Sequence, residues 1–167
     1  MRVSTPAAAG VGDGAALDTL VGAGTVTRVE DVQRLHEIGA DLVVMPHADV
    51  TVIRTAKAAG MLCVPGVATP TEAFAAIAAR ADALKLFPAE LFTPGVLKAM
   101  RSVLPPAVPL LPVGGITPAN LAPWRDAGAC GFGLGSALYR PGADAATVAA
   151  NAADFIRAWH ACAPPSS

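Results

Sequence analysis

Only three of the 167 residues are lysines, and one of them stands where lysines are seldom found. Lys85 lies inside the strand-like run Ala83-Leu84-Lys85-Leu86-Phe87-Pro88. A lysine amine placed among apolar neighbours pays heavily for its charge, and the usual response is a lowered pKa. The neutral amine so favoured is a nucleophile toward ketones, the starting point of Schiff-base chemistry. The competing reading is a strand-edge lysine whose head reaches water along its own methylenes.

Two glycine clusters follow. Gly114-Gly115 precedes Thr117-Pro118, and Gly133-x-Gly135-Ser136 closes a later apolar run. Glycines at strand ends expose backbone N–H groups, and a helix N-terminus adds a favourable dipole, so both clusters read as parts of a phosphate cradle. Tight strand-to-helix turns that need positive φ would use the same residues. Gly22-Ala23-Gly24-Thr25 begins like a dinucleotide fingerprint, but Thr27 stands where the third glycine belongs, so it carries no nicotinamide reading. Pro46 and Pro65-Gly66 mark strand ends. His36, His47 and His160 have no metal-ligand spacing; His47 alone follows a strand. Glu30 and Glu72 fall in Thr-x-x-Glu strings (Thr27–Glu30 and Thr69–Glu72), which predict capping boxes rather than catalytic acids.

The elements that must position these residues alternate regularly. Apolar runs at 20–26, 41–46, 62–67, 83–88, 109–116 and 131–136 predict strands. Helical patterns predict helices near 29–38, 50–59, 71–79, 95–103, 119–127 and 144–160. Thr93-Pro94 and Thr117-Pro118 place proline at a first helical position, and Gly39, Gly60 and Gly128 fall where helices end. Near-continuous apolar strands between helices imply a parallel sheet buried on both faces. The fold class is α/β, with an incomplete barrel favoured over an open doubly wound sheet. The first 19 residues are Ala/Gly-rich and read as an irregular segment, 20–160 as the β/α domain and 161–167 as a disordered tail.

Composition narrows the rest. The chain is 53% hydrophobic and 15% charged with a formal net charge of −1, which supplies core and no basic field for nucleic acid. Cys63, Cys130 and Cys162 lack any disulfide or zinc pattern and read as small buried residues of a reducing cytosol. The uncharged stretch Ser102–Trp124 holds six prolines and two glycines, which excludes a membrane span there. With no compact apolar leader, the expected location is cytoplasmic and the partners are small molecules rather than membrane or nucleic acid.

Taken in order, the strings GAGTV (22–26), Pro46, PGVATPTEA (65–73), ALKLFPAE (83–90), PVGGI (112–116) and GFGLGSALYRPG (131–142) resemble the Schiff-base aldolases of 2-keto-3-deoxy-6-phosphogluconate and -galactonate. The likeness runs from about Leu20 to the last helix. It implies a (β/α)8 TIM barrel, here with about six βα units, that forms a homotrimer. It implies reversible cleavage of a phosphorylated keto-deoxy sugar acid to pyruvate and glyceraldehyde 3-phosphate, with no metal or other cofactor. Lys85 matches the Schiff-base lysine. Thr25, Pro46 and Thr69 match the pyruvate end of the pocket, and Gly114, Gly115, Gly135 and Ser136 match the phosphate cradle. Val113 stands where gluconate-type members tend to carry threonine, and with the GLGSALYRPG string it points to the galactonate type. The family's acid/base glutamate and a substrate-holding arginine precede the first matching segment, so an N-terminally truncated barrel is expected. Two further readings stay open: a non-catalytic phosphate-binding remnant of the family, and a different phosphate-binding barrel enzyme with no use for Lys85.

Overall fold

The computed structural model describes residues 20–162; the irregular segment expected at 1–19 and the end of the expected tail, 163–167, lie outside the described residues. Six short strands are present: β1 Gly22–Ala23, β2 Leu42–Val44, β3 Leu62–Val64, β4 Gly66–Val67, β5 Leu84–Leu86 and β6 Leu110–Pro112. Six α-helices follow them: α1 Val29–Glu37, α2 Val50–Ala58, α3 Pro70–Ala78, α4 Pro94–Arg101, α5 Leu121–Asp126 and α6 Ala145–Ala161. Every strand pairing is parallel, and neighbours in sequence are neighbours in space, β1-β2-β3 and β4-β5-β6. Only Pro65 separates β3 from β4. Having no N–H, it breaks the ladder locally, while its carbonyl still accepts from Lys85 N at 2.9 Å. The fold is thus an α/β arrangement of parallel strands.

β5 is covered on both faces, as its apolar run requires. Leu84 and Leu86 are fully buried and point one way; Lys85, between them, faces the other way and is 9% exposed. The core continues through Val43, Met45, Ile53, Cys63, Leu97 and Leu110. Leu84→Ala would cost about 2–5 kcal/mol by lost burial and the cavity left behind.

Several expected signals are present. Thr69 and Glu72 form a reciprocal capping box at α3, and Pro70 and Pro94 occupy first-turn positions of α3 and α4. Gly39, Gly60 and Gly128 adopt φ of 73°, 78° and 101° just past helix ends, where a side chain would be strained. Other expectations are corrected. No capping box forms at Thr27–Glu30: Arg28 is the N-cap and makes no side-chain cap bond, while its guanidinium pairs with Asp31 at 3.5 Å. Pro118 does not start a helix; α5 begins at Leu121, because Asn120 closes a turn by accepting from Thr117 N and donating to the Gly115 carbonyl, each at 2.8 Å. The run 131–136 is no strand. Its one ladder contact is the bridge Val113–Gly133, glycine spacing leaving few side chains to hold an extended segment. Of the cysteines only Cys63 is buried, its thiol pushed up to about 12 by burial; Cys130 is exposed and Cys162 half-buried, and all three are free. Among the described residues no helix is long and apolar enough to cross a membrane.

At the N-terminal ends of the strands a polar pin joins two βα units. Asp82, just before β5, accepts from Lys57 of α2 at 2.7 Å and from Cys63 N of β3 at 2.7 Å; Lys57 also donates to the Met61 carbonyl at 3.1 Å. The ion pair is partly exposed and contributes little by itself, but the charged bond to a backbone N–H is stronger. Asp82→Ala is expected to lower unfolding free energy by about 1–3 kcal/mol in urea denaturation, with the m-value unchanged.

Candidate active site

Most of the residues singled out in the sequence lie in or just past the strands, toward their C-terminal ends. Thr25 follows β1, Pro46 follows β2, Thr69 follows β4, Lys85 is in β5, and Val113-Gly114-Gly115 follow β6. The ladder fixes their order around one rim. Gly66 is the register partner of Lys85, and Lys85 in turn is the partner of Leu111. Val113 N donates to the Leu86 carbonyl at 3.0 Å, and Ala89 N donates to the Val113 carbonyl at 2.9 Å. The turn after Lys85 and the turn carrying the glycine pair are therefore bonded to one another directly. The Val113–Gly133 bridge brings the segment that leads to Gly135 and Ser136 alongside.

Burial pushes the Lys85 amine below the ordinary lysine value of 10.5. Its Nζ sits 3.9 Å from the centre of the Phe87 ring, a contact that favours the ammonium and holds the head in place. Phe87 was not singled out from the sequence; its separation from Lys85 by two, the same-face period of a strand, was the available signal. Phe87 leads through a cis peptide bond into Pro88 and a 3-10 turn, Ala89–Leu91.

Gly66 shows why the rim is tight on the other side. A Cβ there would come 2.5 Å from the Pro46 carbonyl oxygen and 3.1 Å from His47 N, so only glycine lets β4 lie against the end of β2. Thr25 has φ of 63°, a left-handed conformation that costs a β-branched residue roughly 1–3 kcal/mol. The Thr69 hydroxyl is engaged in the capping box: it accepts from Glu72 N at 3.3 Å and donates to the Glu72 carboxylate at 2.9 Å. The Ala68 and Thr69 amides and that hydroxyl hold the Glu72 carboxyl below its usual range.

Gly114 and Gly115 have φ of 114° and 63°. Glu90, from the 3-10 turn after Lys85, lies directly over them: a Cβ on Gly114 would be 2.7 Å from the Glu90 carboxyl carbon, and one on Gly115 would be 2.7 Å from its Cγ. Neither Glu90 nor Asn120 was singled out from the sequence. Gly135 is open to space on its side-chain face, and Ser136 is exposed. Ser136, Arg140, Thr147 and Asn151 line a shallow pocket where Arg140 Nε donates to the Ser136 carbonyl at 3.1 Å. Among the described residues no cluster of His, Cys, Asp or Glu could hold a metal ion.

The described residues thus form an α/β fold of parallel strands with a buried lysine in β5 and glycine turns beside it. The family model described as KDPG and KHG aldolase matches residues 10–154. The 2-dehydro-3-deoxy-6-phosphogalactonate aldolase of Escherichia coli (strain K12) is 49% identical over 140 residues, 84% of this chain and 68% of that protein. A solved structure described as native KDPGal superposes with a TM-score of 0.83 at 48% identity, covering 84% of this chain and 68% of the other. A 2-dehydro-3-deoxy-phosphogluconate aldolase of Treponema pallidum (strain Nichols) is 38% identical over 107 residues, 63% of this chain and 50% of that protein. The chain belongs to the KDPG and KHG aldolase family, whose members are carbon–carbon lyases of the Schiff-base type, and its likeness is nearer to the phosphogalactonate aldolase than to the phosphogluconate one.

The buried lysine has a thermodynamic signature. Because its folded pKa lies below 10.5, the charged amine destabilises the fold at neutral pH, and the unfolded chain binds more protons as pH rises toward 10.5. Lys85→Met is expected to raise the unfolding midpoint at neutral pH, and the gap to wild type should narrow as pH climbs into the lysine range. Thermal unfolding across pH reads both.

Proposed function

We propose that this chain is a class I aldolase acting on 2-dehydro-3-deoxy-6-phosphogalactonate, with Lys85 as the residue that bonds to substrate. One observation carries the reading: a lysine 9% exposed, its charge disfavoured by burial, in the middle of a short parallel strand and one hydrogen-bonded turn away from a glycine pair. The neutral Lys85 Nζ attacks the C2 ketone. The carbinolamine loses water to give an iminium, which draws the C3–C4 bonding electrons as the C4 hydroxyl loses its proton. Glyceraldehyde 3-phosphate leaves. The enamine takes a proton at C3, and water releases pyruvate and restores the amine. Each step moves protons and electron pairs within substrate, lysine and water, so the route calls on no metal or organic cofactor.

Thr25, Pro46 and Thr69 border the pyruvate end in this reading. Gly114, Gly115, Gly135 and Ser136 receive the phosphate through backbone N–H groups and a hydroxyl. Val113 lines the sugar-acid chain; without a hydroxyl it offers no hydrogen bond to the C4 hydroxyl, which fits the galactonate epimer rather than the gluconate one. The six strands form part of the wall of a (β/α)8 barrel, with residues 20–160 as its unit, and the protein works as a homotrimer in the cytoplasm.

Incubation with pyruvate and borohydride, followed by peptide mass analysis, tests the lysine. Wild type is expected to gain a reduced pyruvate adduct on the peptide containing Lys85, and Lys85→Met to gain none. A wild-type chain that binds the phosphosugar yet forms no adduct would be a binding remnant of the family, and the aldolase reading would fail. Retro-aldol rates with the two epimers test Val113: Val113→Thr is expected to shift kcat/KM toward the gluconate epimer by about 10-fold, the scale of one hydrogen bond.

A further inference from the structure

Glu90 extends from the turn that follows Lys85 and lays its carboxyl group on the side-chain face of Gly114 and Gly115, close enough that a methyl group on either glycine would collide with it. The backbone fixes this placement. Ala89 N is bonded to the Val113 carbonyl at 2.9 Å, and Leu91 N to the Pro88 carbonyl at 3.1 Å, so the residue between them cannot drift far from the glycine turn. The ion pairs among the described residues are Arg28–Asp31, Lys57–Asp82 and Arg157–Asp154, none of which engages Glu90. Its side chain is exposed, so it can swing away without opening the core. A carboxylate therefore lies against the same backbone turn that the proposed function assigns to a dianionic phosphate.

We propose that Glu90 sets the phosphate affinity of this cradle: its carboxylate shares the Gly114–Gly115 concavity with the incoming phosphomonoester, so that phosphate binds against the repulsion of Glu90 or as Glu90 is displaced. The inference rests on the phosphate reading of the glycine pair. Its consequence is a cradle tuned for exchange rather than retention, since the carboxylate returns to the turn as the phosphorylated product leaves. Two negative charges about 4–6 Å apart near a protein surface repel by enough to change affinity roughly 5- to 10-fold or more.

Inorganic phosphate is the probe, titrated calorimetrically into the full chain at one neutral pH and one ionic strength. Wild type, Glu90→Gln, Glu90→Ala and Ser136→Ala are compared, with thermal unfolding showing that each is folded. Glu90→Gln and Glu90→Ala are both expected to bind phosphate about 5- to 10-fold more tightly than wild type, with Ser136→Ala weaker. Unchanged or weaker binding in Glu90→Gln overturns the proposal while leaving the cradle intact, because wild type still binds. Tighter binding in Glu90→Ala alone would mean bulk rather than charge, and also overturns it. If none of the four binds phosphate, the cradle reading itself falls, and this inference with it.

Discussion

Keeping an ammonium inside a parallel sheet is the constraint on which the rest of the molecule turns. A parallel sheet is covered on both faces, so a lysine within it cannot simply point to bulk water. Lys85 escapes the worst of the cost by position. It stands one residue short of the end of β5, its buried neighbours Leu84 and Leu86 face the other way, and its head rests on the Phe87 ring. Burial pulls the proton off and the aromatic face holds it on. The amine is thereby oriented, and its neutral form is less disfavoured than in an exposed lysine, the property that the proposed attack on a ketone would use.

Around that amine the backbone is shaped where side chains would intrude. Gly66 lets β4 approach the carbonyl of Pro46; Gly114 and Gly115 make room for Glu90; Asn120 ties both ends of the turn that follows them. Thr25 does the reverse, holding a branched side chain in a left-handed conformation. Such a conformation persists only where its surroundings impose it, and it sits on the same rim as the lysine.

Much of this was legible in the amino-acid order. The alternation of apolar runs and helical patterns located all six helices and five of the six expected strands, because continuous apolar runs between capped helices have few other solutions. Lys85 was conspicuous as a charge inside an apolar run. What escaped were effects of contact. Thr27 and Glu30 satisfy a capping string, but the chain turns at Arg28 instead. Thr117-Pro118 has the letters of a helix start, and Asn120 outcompetes it with two hydrogen bonds. The run 131–136 looks apolar enough for a strand, yet its glycines leave it a single bridge. Glu90 was invisible because its importance comes from the glycine turn that the next strand places beneath it.

The polar pin at the opposite end of the strands gives this arrangement a wider meaning. Lys57, Asp82 and the Cys63 amide fasten β3 to β5 at the end away from Lys85. The pin and the candidate site thus lie toward different ends of the same strands. A substitution on the rim can therefore leave the pin intact, and a change in the pin can alter stability without touching the amine.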